Sequence, residues 1–301
     1  MLKIVMKFGG TSLVDGNFKR LAEIVAEHAR KKDKIVVVVS ALAGVTDSLL
    51  EASHKAKNGR IDHVLKFTKD LERKHILGVN KSITSDYWRN KVKRKVKEVI
   101  EDLKNVLTGI AYLGELTPKS KDYVLSFGER LSTWIAWGTI RDYGLKSQYF
   151  TGETAGILTN SNFGEATPLL NVTKHQVKRR LESLIQKGVI PVVTGYIGVT
   201  QDGATTTLGR GGSDYSATIV GASIKADEVW IWTNVDGLMS ADPQIVPSAR
   251  LIPEVSYQEA TEMAVFGAKV MHPKALEPAM EENIPVRIRN ILNLKNPGTL
   301  I

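Results

Sequence analysis

Short runs of β-branched and apolar residues alternate with stretches of helical periodicity, and this alternation limits the possible folds more than any other feature of the chain. LKIVMKF at 2–8 precedes a helical pattern over Phe18 to Arg30, and KIVVVVS at 34–40 precedes another that begins at Val45. A run that is apolar on both faces has to be buried on both, which a largely parallel sheet covered by helices achieves. The expected fold class is therefore α/β, a three-layer αβα sandwich around an open, largely parallel sheet. From about residue 50 to 116 the strand signals vanish and helical segments follow one another, including Asp62 to Leu77 and Asp86 to Leu107, which marks a helical insertion. The pattern resumes with a helix over Tyr123 to Tyr143, strands near Gln148 and over Gly156 to Thr159, a helix over Thr173 to Lys187 and the strand VIPVVTGY. The last third holds the strand EVWIWT, a helix from Tyr257 to Phe266, a second near Ala275 and the strand IPVRIRN. A division near Ile190 gives lobes 1–190 and 191–301 that share one sheet.

With 301 residues, 43% of them hydrophobic and 24% charged, the chain can bury a substantial core. The absence of cysteine excludes disulfides, thiolate zinc sites and cysteine nucleophiles. No stretch approaches the ~20 apolar residues of a membrane span, and the N-terminal apolar run, broken by Lys3 and Lys7, is too short for a signal peptide. The expected location is the cytoplasm. A formal charge of +9 raises nucleic-acid binding, with ARKKDK and RNKVKRKVKE as the basic runs. In the second run Val92, Val96, Val99 and Leu103 recur at helical spacing, so the lysines fall on a solvated face. No aromatics are interleaved with them as a stacking surface for nucleic acid requires. A basic surface still favours small anionic substrates.

Four glycine turns carry the candidate chemistry. KFGGTS, Lys7 to Ser12, follows the first strand directly: Gly9 and Gly10 can merely turn the chain, or let backbone N–H groups approach a ligand whose phosphate oxygens meet Lys7. GRGGSD, Gly209 to Asp214, feeds a helix N-terminus, where N–H groups and the macrodipole favour an anion. Within it Arg210 offers a fork for a carboxylate or phosphate, and Asp214 an anion that partners a cation. In SFGERLS, Glu129 can hold an ammonium group or stand in a solvated first turn. SALAGVTDS places Ser40, Gly44 and Thr46 at a strand's carboxyl end, where open α/β sheets bind ligands. His28, His54, His63, His75 and His175 read as solvated helix residues, and His272 as capping or packing. The lack of a catalytic base suits a nucleophile that is already ionised, such as a carboxylate attacking phosphorus.

With these residues assembled, the chain resembles the aspartate kinases of the amino acid kinase superfamily. KFGGTS, SALAGVTD, SFGERLS, TTTLGRGGSDYSA, WTNVDGLMSADP, FGAKVMHP and VRIRN…NPGTLI occur in that family's order over virtually the whole chain. The resemblance implies MgATP-dependent phosphorylation of the L-aspartate side-chain carboxylate, with ATP and Mg²⁺ as cofactors and no side chain assigned to the metal. It implies that Lys7 stabilises the transferring phosphoryl group, that Gly9 and Gly10 place amides on the phosphates, and that Asp214 holds Lys7. Arg210 would clamp the substrate α-carboxylate and Glu129 its ammonium, with Ser40 and Thr46 alongside, while Gly212 and Ser213 complete the phosphate-facing turn. The N-terminal lobe would bind the amino acid and the C-terminal lobe the nucleotide, through Trp232, Thr233, Asn234, Gly237, Met239, Gln244 and Lys269.

Where relatives commonly read WTDVDGIYTADPR, this chain has Asn234, Met239 and Gln244, departures that bear on adenine affinity and phosphate grip; Lys269 offers a compensating charge. Asn160 stands where relatives often carry Asp. Two other readings are a superfamily kinase acting on a different acid, and a catalytically weak regulatory subunit. Because catalytic domains of this superfamily commonly pair, the resemblance implies a homodimer through the kinase region; with no ACT regulatory domain after NPGTLI, a separate ACT-bearing subunit is the expected route to feedback control.

Overall fold

The computed structural model of the chain describes residues 1–13, 17–241, 245–246, 248–265 and 271–301. Its strands are β1 (Lys3–Phe8), β2 (Lys34–Val39), β3 (Ser147–Phe150), β4 (Ile190–Thr194), β5 (Ile197–Val199), β6 (Thr205–Thr207), β7 (Glu228–Thr233), β8 (Val286–Asn290) and β9 (Thr299–Leu300). Seven of the described strands form one sheet in the order β3-β4-β2-β1-β7-β8-β9, parallel except for β9, which runs antiparallel to β8. β5 and β6 make a separate antiparallel hairpin.

The helices are α1 (Asn17–Arg30), α2 (Val45–Lys57), α3 (Ile61–Ser82), α4 (Asp86–Leu113), α5 (Pro118–Asp142), α6 (Gly152–Ala155), α7 (Leu170–Gln186), α8 (Gly212–Ile224), α9 (Tyr257–Val265) and α10 (Glu277–Glu281). Successive side chains of β1 part to opposite faces of the sheet, as the pleat requires. Ile4, Met6 and Phe8 join the core under α1 to α5, while Val5 joins the one under α7 and α8. The result is the three-layer α/β sandwich that the alternating pattern implies.

From Val45 to Asp142 the chain is helical apart from short connections. In α4, Val92, Val96, Leu103 and Leu107 are buried, and Arg94, Lys97 and Glu98 are exposed, so the basic run does follow an outer face. Yet Lys91 lies over the rings of its near neighbour Trp88 and of Trp137, and Lys95 over Trp134, so aromatics of α5 come to lie under these lysines.

Three local expectations need correction. α5 begins five residues before Tyr123, because Thr117 caps it by accepting the Ser120 N–H and Pro118 occupies its first turn. The strand expected over VIPVVTGY is β4, but it stops at Thr194, because Tyr196 takes φ 65° and the chain turns there into β5. Gly156 to Thr159 forms isolated bridges, Leu158 to Val199 and Thr159 to Pro168, and no strand of its own, since Gly156 ends α6 at φ 99°. The far end of the helix expected to reach Phe266 lies outside the described residues.

The histidine expectation also fails: His28 and His63 are half-buried, His28 against Asp33 at 2.9 Å, and the departure is complete at His75. His75 is fully buried between α3 and its neighbours, with Nδ1 against the Leu71 carbonyl at 2.8 Å, and burial lowers its pKa to about 4. Because the folded value lies below the ordinary ~6.5, the unfolded chain takes up the proton first as pH falls. The stability that neutral His75 contributes is therefore complete above about pH 6.5 and declines towards pH 4, by about 3 kcal/mol at the limit. Denaturant midpoints at pH 4.5 and 7 are expected to differ less in His75→Leu than in the wild type.

Candidate active site

Because β1, β2, β4 and β7 are parallel, their carboxyl ends share one edge of the sheet, and motifs far apart in sequence meet there. A cavity of about 510 Å³ lies at that edge. Its walls bring together Lys7, Ser40, Thr46 and Glu129 with Arg210, Gly212, Ser213 and Asp214.

Lys7 stands on the β1 face that looks toward α8, the same face as Val5. Its Nζ lies 2.5 Å from Asp214 Oδ1, with about a tenth of each side chain exposed. Asp214 sits in the first turn of α8, where a carboxylate also complements the helix dipole. The pair is sheltered enough that an anion reaching Lys7 meets a charge already held in place.

The two glycine turns owe their composition to geometry. A Cβ on Gly10 would lie 2.4 Å from the Ala41 carbonyl oxygen, so the second glycine of KFGGTS allows that turn to close on the loop after β2. Gly211 has φ 72°, and a Cβ there would lie 2.6 Å from the Cβ of His272, so any other residue is strained and crowded. His272 makes no side-chain capping bond and acts as packing. Two amides expected to face phosphates are otherwise engaged. The Gly9 N–H donates to the Trp232 carbonyl at 3.1 Å and the Gly212 N–H to the Gly209 carbonyl at 3.0 Å. The first bond pins the turn to β7, helped by Ser12, whose buried hydroxyl donates to the same carbonyl at 3.1 Å.

Glu129 occupies the middle of α5, not a solvated first turn, and is 3% exposed. Its Oε1 accepts the Ala41 N–H at 3.1 Å, while Oε2 is buried with no hydrogen-bond partner among the described residues. Burial pushes its pKa up to about 8, against the opposing pull of the Ala41 N–H and the charge of Lys7. Such a carboxyl calls for a cation. The helix that carries it is tied to β2 by the Ser132 hydroxyl, which donates to the Ser40 carbonyl at 2.6 Å. Across the cavity, Arg210 is exposed and forms no ion pair among the described residues.

The residues expected to border a nucleotide are less concentrated. The Trp232 indole is 1% exposed, stacked on Phe8 and covered by the Arg289 guanidinium at 4.7 Å, so it belongs to the core, and only its carbonyl reaches the glycine turn. Half-buried Thr233 and exposed Asn234 follow at the end of β7. Gly237 takes φ 146° against Thr299, and half-buried Met239 bridges to Leu251. These residues flank the sheet edge without lining the cavity. Gln244 and Lys269 lie outside the described residues. Asn160 accepts the N–H groups of Asn162 and Thr167, two bonds that an Asp would accept equally well.

Sequence reasoning missed Tyr196, Gly164 and Glu165, which line the cavity; Asp236, within the strand end expected at the nucleotide, holds its loop by accepting from Asn290 at 2.7 Å and Asn293 at 3.2 Å. The signal for Asp236 was its place in the turn NVDG after β7.

Parallel strands ending in a glycine turn, a lysine paired beside a helix N-terminus, and a buried carboxyl define an α/β protein with a charged cavity at the carboxyl ends of its strands, where such sheets bind ligands. The model of the amino acid kinase family matches residues 3–290, and the chain belongs to that family. Among relatives, it is 36% identical to aspartokinase 3, chloroplastic, of Arabidopsis thaliana, over all of this chain and 53% of that one. It is 33% identical to lysine-sensitive aspartokinase 3 of Escherichia coli strain K12, over 99% of this chain and 64% of the other. The structure of E. coli aspartokinase III in complex with aspartate and ADP superposes with a TM-score of 0.89 at 31% identity, over 99% of this chain and 64% of that chain. The chain thus spans about half the length of the plant relatives it matches. Among the described residues, no helix is long and apolar enough to cross a membrane.

Proposed function

We propose that the chain is the catalytic region of an aspartate kinase, transferring the γ-phosphoryl group of ATP to the side-chain carboxylate of L-aspartate. The observation that carries this reading is the placement of four ionisable side chains around one cavity: the Lys7–Asp214 pair, Glu129 and Arg210. An amino acid presents an ammonium to Glu129 and an α-carboxylate to Arg210, which leaves its side-chain carboxylate to reach toward Lys7. The relatives named aspartokinase, and the one whose structure holds aspartate and ADP, support the choice of amino acid and nucleotide. In this reading the 1–190 lobe binds the amino acid and the 191–301 lobe the nucleotide, in a cytoplasmic enzyme.

The nucleophile is ionised at neutral pH, so no base is required. A carboxylate oxygen of aspartate attacks the γ-phosphorus, the bond from that phosphorus to the β-γ bridging oxygen breaks, and ADP leaves with the electron pair. Lys7 neutralises charge on the transferring group, and Asp214 fixes the ammonium where that charge develops. Mg²⁺ in such reactions takes most of its ligands from phosphates and water. Asp214, on the phosphate-facing turn, is the carboxylate that would hold the ion or its waters, and the ion would neutralise the phosphate oxygens.

The test is to mix the chain with MgATP, aspartate and hydroxylamine. Aspartyl hydroxamate is the expected product; turnover only with another acid, or nucleotide binding with no turnover, would overturn the reading. The pH dependence is specific as well. With burial raising the Glu129 pKa to about 8, the ionised form that binds an ammonium grows up to tenfold per pH unit below that value. Apparent affinity for aspartate is expected to rise from pH 6 to 8, and Glu129→Gln to flatten the profile while weakening binding throughout.

A further inference from the structure

We propose that Asp122 is a positioning residue for the amino-acid site, holding the cavity wall that carries Arg210 at a fixed distance from Glu129. The inference rests on the aspartate-kinase reading of the same cavity. Asp122 and Glu129 are seven residues apart on α5, two turns, and so project from one face of the helix about 10 Å apart along its axis. Glu129 reaches the cavity, and Asp122 reaches two segments that supply further lining residues.

Asp122 is 0% exposed. Its Oδ2 accepts the Gly164 N–H at 2.9 Å and the Thr207 N–H at 2.8 Å, and its Oδ1 accepts the Thr207 hydroxyl at 3.0 Å. Gly164 and Glu165 line the cavity, and Gly209 and Arg210 follow Thr207 within three residues. One carboxylate therefore binds both segments to the helix that carries Glu129. Leu208, next to Thr207, donates its N–H to the carbonyl of Tyr196 at 2.9 Å, and Tyr196 is a cavity residue at φ 65° whose ring packs on Gly212. The connection thus extends from Asp122 through Thr207 and Tyr196 to the turn preceding Asp214.

A buried carboxylate with no ion-pair partner among the described residues adds little to stability compared with an apolar side chain, and burial raises its pKa. What it does supply is one acceptor for two converging N–H groups, which fixes two backbones at once. The substrate ammonium and α-carboxylate are separated by a constant span, so a shift of the Arg210 wall disturbs the amino acid before the nucleotide. Displacements of about 1 Å in such positioning cost up to ~10²-fold.

The experiment compares Asp122→Ala, Asp122→Asn and Thr207→Val with the wild-type chain, measuring kcat, KM for aspartate, KM for ATP and the thermal midpoint. Asp122→Ala is expected to raise KM for aspartate tenfold or more with KM for ATP within twofold. Asp122→Asn is expected to return KM for aspartate to within threefold of wild type, because its amide oxygen still accepts both N–H groups while its nitrogen donates to Thr207. Thr207→Val, which keeps both backbone bonds but takes the hydroxyl donor from Asp122 Oδ1 and so loosens the wall at one point, is expected to raise KM for aspartate about threefold with KM for ATP unchanged, and it decides the matter if Asp122→Ala does not fold. An unchanged KM for aspartate in Thr207→Val, a parallel rise of both KM values in Asp122→Ala, or no recovery in Asp122→Asn would overturn the inference. No turnover of aspartate by the wild type would overturn the proposed activity and this inference with it, whereas an active wild type with unresponsive variants overturns the inference alone.

Discussion

Lys7→Ala is expected to lower kcat by ~10³-fold or more, equivalent to about 4 kcal/mol of transition-state stabilisation, while the chain stays folded. The size follows from the setting of the charge. Lys7 is about a tenth exposed, is held 2.5 Å from Asp214, and stands at the end of β1 beside the glycine turn. A preorganised ammonium there requires no reorganisation as charge develops on the phosphoryl oxygens, and the sheltered site weakens it far less than bulk water would. Removing it also leaves Asp214 unpaired and facing an anionic substrate, so repulsion adds to the loss. Lys7→Ala combined with Asp214→Asn is therefore expected to be less than additive. Steady-state kinetics and a thermal midpoint for each variant make the check. A kcat within tenfold of wild type for Lys7→Ala would remove Lys7 from the chemistry, and a collapse of the midpoint would make its role structural.

The layers of the fold were legible because they depend on patterns that repeat. Val36 to Val39 can be nothing but doubly buried, and Val92, Val96 and Leu103 mark the inner face of α4 whatever the rest of the chain does. Boundaries depend on single residues and were less secure. The Thr117-Pro118 start of α5 was readable and overlooked, whereas the turn at Tyr196 was hidden, since nothing in GYIG requires a tyrosine to take a positive φ. In the site, residues that announce themselves by chemistry in an unusual place, Lys7 at a strand end and Arg210 between glycines, could be picked out. Asp122 and His75 could not, because an aspartate or a histidine in a helix looks solvated until the packing of distant segments is known. Gly9 shows the converse. Its neighbour Lys7 suggests a ligand, yet its amide is occupied by the Trp232 carbonyl, a partner 223 positions further along the chain.

Arg210→Ala is expected to raise KM for aspartate ~30-fold and leave kcat at saturation within a few-fold, the effect of losing about 2 kcal/mol of charge-assisted hydrogen bonding. Arg210 is exposed on the cavity wall and has no ion-pair partner among the described residues, so its guanidinium is free to meet an incoming carboxylate. The α-carboxylate of the substrate does not change charge during phosphoryl transfer. An interaction with it is equally strong in the ground and transition states, and its loss appears in KM and not in kcat. Lys7 differs because it addresses charge that builds only as the phosphoryl group moves. Arg210→Lys is expected to recover little, since an ammonium cannot reproduce the two parallel bonds of a guanidinium fork. Initial rates over a matrix of aspartate and ATP concentrations separate the alternatives. A rise confined to KM for ATP would assign Arg210 to the nucleotide, and a fall in kcat with both KM values unchanged would place it against the transferring phosphoryl group beside Lys7.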